Sequence, residues 1–182
     1  MIRVESALQF EDEYFYDESP CHFVNSSGDT VSGVLCIRRS LSDTSTPSIN
    51  IDKSTLFHGD IYHFSKIKYD KVALAPTIFL EDKRSINLSN TYHHAYVIHT
   101  DSDYIHMNDY VEIKTCDHYY IGRIYDIYSS NRGEYIYNYN DSAIALDCSK
   151  PNHLERYTID LCVIESISKL SEDALECLKK QE

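Results

Sequence analysis

Residues 106–128, "HMNDYVEIKTCDHYYIGRIYDIY", decide the fold of this chain. In "DYVEIK" (109–114), Val111 and Ile113 point one way while Tyr110, Glu112 and Lys114 point the other. That alternation is the pattern of a half-buried strand. A polar stretch follows, and then a second run, "YYIGRIYDIY" (119–128). Its lone Gly122 interrupts an otherwise apolar and aromatic strand, which marks a bulge or a close approach of another backbone. Flanked by Ile121 and Ile124, it predicts a strand that bends, with its tyrosine held at the surface of the curl.

Strand signals continue outward on both sides. Upstream lie "VSGVLCIRR" (31–39) after the turn signal "SSGD", "DIYHFSKI" (60–67), "KVALAPTIFL" (71–80) and "YVIHT" (96–100). Pro76 in the third of these runs implies a bulge or an edge position. Downstream lie "EYIYNYN" (134–140), "AIAL" (143–146) and "YTIDLCVIESI" (157–167). The segment "SLSDTSTPS" (40–48) reads as the clearest loop and as a candidate boundary. The acidic "FEDEYFYDE" (10–18) carries Phe10, Tyr14 and Phe15, rings that need a packed home, so it reads as structured. One helix is expected, at "LSEDALECLKK" (170–180), with Ser171 as N-cap, Glu172 and Asp173 in the first turn and Lys179 and Lys180 closing it. The expected fold is mainly β, a curled sheet or small β-barrel with a C-terminal α-helix.

The 182 residues carry a formal charge of −12, and 42% are hydrophobic, enough for a core. Between residues 91 and 170 there are six basic side chains against twelve acidic ones. Nonspecific nucleic-acid binding needs clustered Lys and Arg, so none is expected here, and a basic protein segment is the electrostatically matched partner. The apolar runs are too short to cross a bilayer, and the acidic start lacks the pattern of a secretory signal. An intracellular protein with no membrane contact is expected. Six cysteines without a CxxC pair then read as free thiols, with Cys36 and Cys162 in apolar runs acting as small core residues.

The chain shows no GxSxG, no phosphate-cradling glycine loop, no HExxH and no paired-cysteine zinc spacing. His93, His94 and His99, with Cys116 and His118, are the nearest approach to a metal or nucleophile set. Adjacent histidines on a strand point to opposite faces, and nothing visible orients a base beside Cys116. No catalytic residue, metal or cofactor is assigned, and a non-enzyme is expected. The tyrosines are the anomaly: of sixteen, eleven fall between Tyr92 and Tyr139. Tyrosine is a good strand former, which accounts for part of that excess. The functional reading is a pocket lined by rings, where aromatic faces and nearby carboxylates attract an alkylated ammonium group. Asp117, Asp126, Glu134 and Asp141 are close enough in sequence to supply acids.

Taken together, these residues resemble the bromo-adjacent homology domain over roughly 95–170, most specifically over 108–128. Asp109 and Val111 match that family's opening "GD-x-V" strand, with Asn108 where glycine is usual. Tyr120, Ile121, Gly122, Arg123 and Ile124 match its "Y-hydrophobic-G-R-hydrophobic" element, continued by Asp126, Ile127 and Tyr128. "AYVIHTDSDYIHMND" (95–109) is similar to the short hairpin preceding the core, and "EYIYNYN" sits where an aromatic strand belongs. The family's usual tryptophan is absent, and the segment after the aromatic strand is shorter and different.

The resemblance implies a chromatin module. Its ligand would be a basic histone tail, methyl-lysine included, or a nucleosome surface, and it would act in the nucleus as a subunit of a larger complex. Carried over, Tyr120 is the cage position, Tyr137 or Tyr139 stands in for the cage tryptophan, and Glu134 or Asp141 completes the site. Arg123 is expected to be a structural strand residue in a salt bridge. The implied division is residues 1–85, a β-rich extension or subdomain of unassigned role, and residues 86–182, the domain resembling that family. The alternative is a Tudor-like or SH3-like β-barrel adaptor serving protein–protein contacts, because such sheets share the same bent-strand grammar.

Overall fold

The computed structural model describes residues 2–24, 28–39, 44–50, 77–129, 142–148 and 155–179. The chain is mainly β, with a curled sheet and, near the C-terminus, the helix α1 (Glu172–Lys179). It divides into two units, Ser6–Ala95 and Met1–Glu5 with Tyr96–Glu182. Two strands, β1 (Arg3–Phe10) and β8 (Tyr92–His99), contribute residues to both.

In the Ser6–Ala95 unit, β1 pairs with β2 (Glu13–Tyr16) in a hairpin that aligns Leu8 with Phe15. The aromatics of the acidic segment do find a home there. Phe15 is fully buried, and Tyr92 packs on it and on Phe10 with centroids 6.2 and 5.3 Å apart. The Arg84 guanidinium lies 4.8 Å from the Phe15 ring. The strand order runs β2-β1-β8-β5-β4-β3-β6-β7, with β3 (Pro20–Val24), β4 (Thr30–Arg39), β5 (Thr44–Asn50), β6 (Thr77–Leu80) and β7 (Ser85–Asn87). Leu8, Phe23, Leu35, Ile37, Ile78 and Ile86 form its centre. Burying each such side chain stabilises by roughly 1.5–3 kcal/mol.

The loop expected at 40–48 is corrected by β5. Residues 44–50 form a strand antiparallel to β4, pairing Ile49 with Leu35 and Pro47 with Ile37. Its buried face is Ser45, Pro47 and Ile49, a period-two alternation carried largely by residues that do not look apolar. Pro47 is tolerated because the pairing of β5 with β8 covers Thr44 and Ser45 and does not reach it. The runs at 60–67 and 71–76, Pro76 included, and "EYIYNYN" lie outside the described residues.

In the other unit, a five-stranded sheet runs β13-β12-β11-β10-β14. Its strands are β10 (Tyr110–Thr115), β11 (Tyr119–Tyr128), β12 (Ala143–Asp147), β13 (Arg156–Asp160) and β14 (Ile164–Lys169). β9 (Tyr104–Ile105) forms the expected short hairpin with the end of β8, pairing Ile98 with Ile105. Val111, Ile113, Ile124, Ile144 and Leu146 are fully buried, and Ile2 and Val4 pack against the same cluster. The alternation in β10 is as expected: Val111 and Ile113 inward, Tyr110, Glu112 and Lys114 outward.

The run "YTIDLCVIESI" is two strands joined by a short 3-10 turn, Leu161–Val163. Cys162 sits in that turn and is exposed, which corrects its expected place in the core. The buried thiol is Cys21, pushed up to about 11 by its burial. At α1, Ser171 caps as expected: its Oγ accepts the Ala174 N–H at 3.3 Å. Among the described residues, no helix is long and apolar enough to cross a membrane.

Candidate functional site

The candidate site is built on the β10–β11 hairpin. Its entry turn holds Asn108 at φ 69°, the left-handed region that glycine enters freely and asparagine tolerates better than other side chains. That is the physical reason asparagine can stand where the resembled family has glycine. The turn is tied on both sides of Ile124, whose carbonyl accepts the Asn108 N–H and whose N–H donates to the Asp109 carbonyl, each at 2.9 Å. The Asp109 carboxylate accepts the His106 N–H at 2.8 Å and lies 3.2 Å from Lys169 Nζ at the end of β14. Burial alone would raise the Asp109 carboxyl, but the His106 hydrogen bonds and the Lys169 charge outweigh it and hold it below the ordinary value. Asp109 and Val111 are therefore framework residues.

Gly122 is a close-approach glycine. A Cβ placed on it would lie 2.7 Å from the Asp147 carbonyl oxygen and 2.9 Å from both Leu146 Cγ and Cys148 Sγ. The bulge falls just beyond, where the β11–β12 register shifts between Ile124 and Asp126. Of the two readings of that glycine, the close approach holds at Gly122 itself, and the bulge belongs to the residues after it. Strand alternation puts Tyr120, Gly122 and Ile124 on the inner face of β11 and Tyr119, Ile121 and Arg123 on the outer face.

Because Gly122 has no side chain, the end of β12 closes on β11, and β13 follows it with Tyr157 opposite Leu146. The Tyr157 ring thereby reaches Tyr120, with centroids 5.2 Å apart and planes inclined by 56°. His118 stacks against Tyr120 at 5.8 Å and 28°. Tyr120 is half-buried at the rim of the core and Tyr157 is 38% exposed, so the two rings make a corner open to solvent. The Tyr157 hydroxyl donates to Glu155 Oε2 at 3.2 Å, and this hydrogen bond to a carboxylate raises the phenol above its ordinary value. Cys148, whose N–H donates to the Glu155 carbonyl at 2.9 Å, sits behind the corner. Burial and then the charges of Asp147 and Glu155 push its thiol up.

Of the expected cage residues, Tyr120 lies half-buried on the inner face of β11. Tyr137, Tyr139, Glu134 and Asp141 lie outside the described residues. Asp117 is exposed beside Cys116, accepting its thiol at 3.2 Å, and Asp126 accepts the Ile127 N–H at 2.8 Å. The ring that the structure does bring to Tyr120 is Tyr157, whose hydroxyl holds Glu155; sequence reasoning missed both. Their only local signal is an acid-x-Tyr at the head of a strand, and nothing local says that this strand lies beside Tyr120. Among the described residues no cluster of His, Cys, Asp and Glu could hold a metal. Arg123 reaches Asp147 at 4.0 Å, the salt bridge expected of it. Comparisons with protein-family models, curated proteins and solved structures found no match.

Proposed function

We propose that this chain is a binding module for a basic protein segment, of the bromo-adjacent homology kind, and that it takes a lysine side chain, methylated forms included, at the corner of Tyr120 and Tyr157. The carrying observation is that corner: two rings inclined by 56° at 5.2 Å, with a carboxylate, Glu155, fixed on the rim by the Tyr157 hydroxyl. Two inclined ring faces offer an alkylated ammonium group two cation–π contacts, each about 0.5–2 kcal/mol. The carboxylate adds a coulombic contribution, and the charge of −12 favours approach of a basic chain from a distance. A histone tail is the ligand class that fits, and a role in the nucleus within a larger chromatin complex follows from it.

The test is binding of the purified chain to an array of modified and unmodified histone-tail peptides, with Tyr120→Ala and Tyr157→Ala beside it. Methyl-selective binding that falls about tenfold or more in each variant supports the reading. Equal binding to every basic peptide, or none to any, removes it and favours the adaptor alternative.

A further inference from the structure

The outer face of β11–β13 carries a second constellation with the opposite chemistry. In register across the three strands lie Arg123, Asp147 and Arg156. Both guanidiniums approach the same carboxylate oxygen, Asp147 Oδ2, at 4.0 and 3.9 Å, too far for a hydrogen bond. Among the described residues neither side chain donates a hydrogen bond to another group. The two arginine side chains are 43% and 47% exposed, whereas Asp147 is only 12% exposed beneath them. Two forked cations thus share one sunken carboxylate while remaining nearly half exposed themselves.

Elsewhere on the outer face several side chains are paired with one another. Glu112 accepts from the Tyr119 hydroxyl and from Ser168 Oγ, and Lys114 pairs with Glu165 at 3.0 Å. With Asp147 shared between them, the two arginines leave one net positive charge on this patch. Arg156 is also held in position, its guanidinium lying 4.1 Å from the centroid of the Tyr125 ring. Tyr125 and Ile121 are themselves exposed on this face, on either side of Arg123. The geometry suits one carboxylate between two guanidiniums. Their Nη2 atoms are no further apart than the two distances to Asp147 Oδ2 laid end to end, a span that a carboxylate with a charge-assisted bond of about 2.8 Å on each side covers.

We propose that this face docks an acidic linear peptide segment, with a side-chain carboxylate bridging Arg123 and Arg156 and a neighbouring apolar side chain lying on Tyr125 or Ile121. A peptide fits better than a nucleic-acid strand. A strand brings a negative charge at every nucleotide against a chain of net charge −12, whereas a single carboxylate matches the one net positive charge the two arginines keep over Asp147. The proposal stands apart from the lysine corner, because strand alternation puts Tyr120 and Arg123 on opposite faces of β11.

The experiment uses the full chain and a short fluorescein-labelled peptide alternating aspartate with phenylalanine, followed by fluorescence anisotropy. Controls are the same peptide with asparagine for aspartate, and a labelled oligothymidylate. The acidic peptide is expected to bind, with the asparagine peptide about tenfold weaker or worse. Arg123→Gln and Arg156→Gln should each weaken it about tenfold, and Lys114→Gln should leave it unchanged. In the unsubstituted chain, the arginine side-chain NMR signals of both residues should shift on titration, a reading that needs no variant to fold. Failure of the acidic peptide to bind, undiminished binding by both arginine variants, stationary arginine signals, or tighter binding of the oligothymidylate would each overturn the proposal.

Discussion

Gly122 is the residue on which the inner face of the hairpin depends. It faces the Asp147 carbonyl, Leu146 and Cys148, and any Cβ there forces two strands apart. Alanine would gain a few tenths of a kcal/mol to about 1 kcal/mol from a stiffer unfolded chain, far from enough to offset overpacking against backbone. Gly122→Ala is therefore expected to lower stability by about 1–3 kcal/mol, read as a drop in the urea midpoint at constant slope. Asn108 shows the complementary case: the left-handed conformation, with no close approach, is met by a side chain that tolerates it. Both constraints could be read locally, the first as a lone glycine inside a strand, the second as an asparagine at a strand entry.

At the scale of the element, the hairpin is held at its mouth by Asp109. His106 and Lys169 face its carboxylate, and Asp103 lies near Lys169 at 3.8 Å. Because the folded value lies below the ordinary 3.8, Asp109 contributes stability at pH values above that, and the contribution is lost as pH falls through the folded value. Asp109→Asn should accordingly be less stable than the native chain at about pH 7, and the two should converge under acid as the native carboxyl protonates. Chemical denaturation across that range checks it; a gap that persists unchanged in acid would remove the ionic role. The strand pattern of β10 was open to view because Val111 and Ile113 are apolar and their neighbours polar. That of β5 was hidden because serine and proline occupy two of its three buried positions. Alternation governs both strands, but composition reveals it only when buried positions are filled by apolar side chains.

At the scale of the whole molecule, the first five residues belong with the last eighty-odd rather than with those that follow them. Ile2 and Val4 pack on the Val111–Ile144 cluster, and Glu5 Oε1 and Arg3 Nη2 both lie 3.0 Å from His99 Nδ1. Replacing both Ile2 and Val4 by alanine is expected to cost about 2 kcal/mol together, given their partial burial. The loss should appear as faster hydrogen exchange at the amides of β10 and β11. Unchanged protection there would mean that these residues add nothing to that core.

What the amino-acid order determined by itself was everything with a short range. It set the β10 alternation, the close approach at Gly122, the Ser171 cap and the mainly-β character. Each depends on residues within a few positions of one another, where pleat, cap and backbone sterics act. Only the tertiary structure decided which strands became neighbours. It made β5 a strand by giving it β4 to pair with, put Cys162 on a turn, and set Tyr157 beside Tyr120 and two arginines over Asp147. Those outcomes rest on registers between segments distant in sequence, and a one-residue slip would turn every side chain to the other face without changing any local signal.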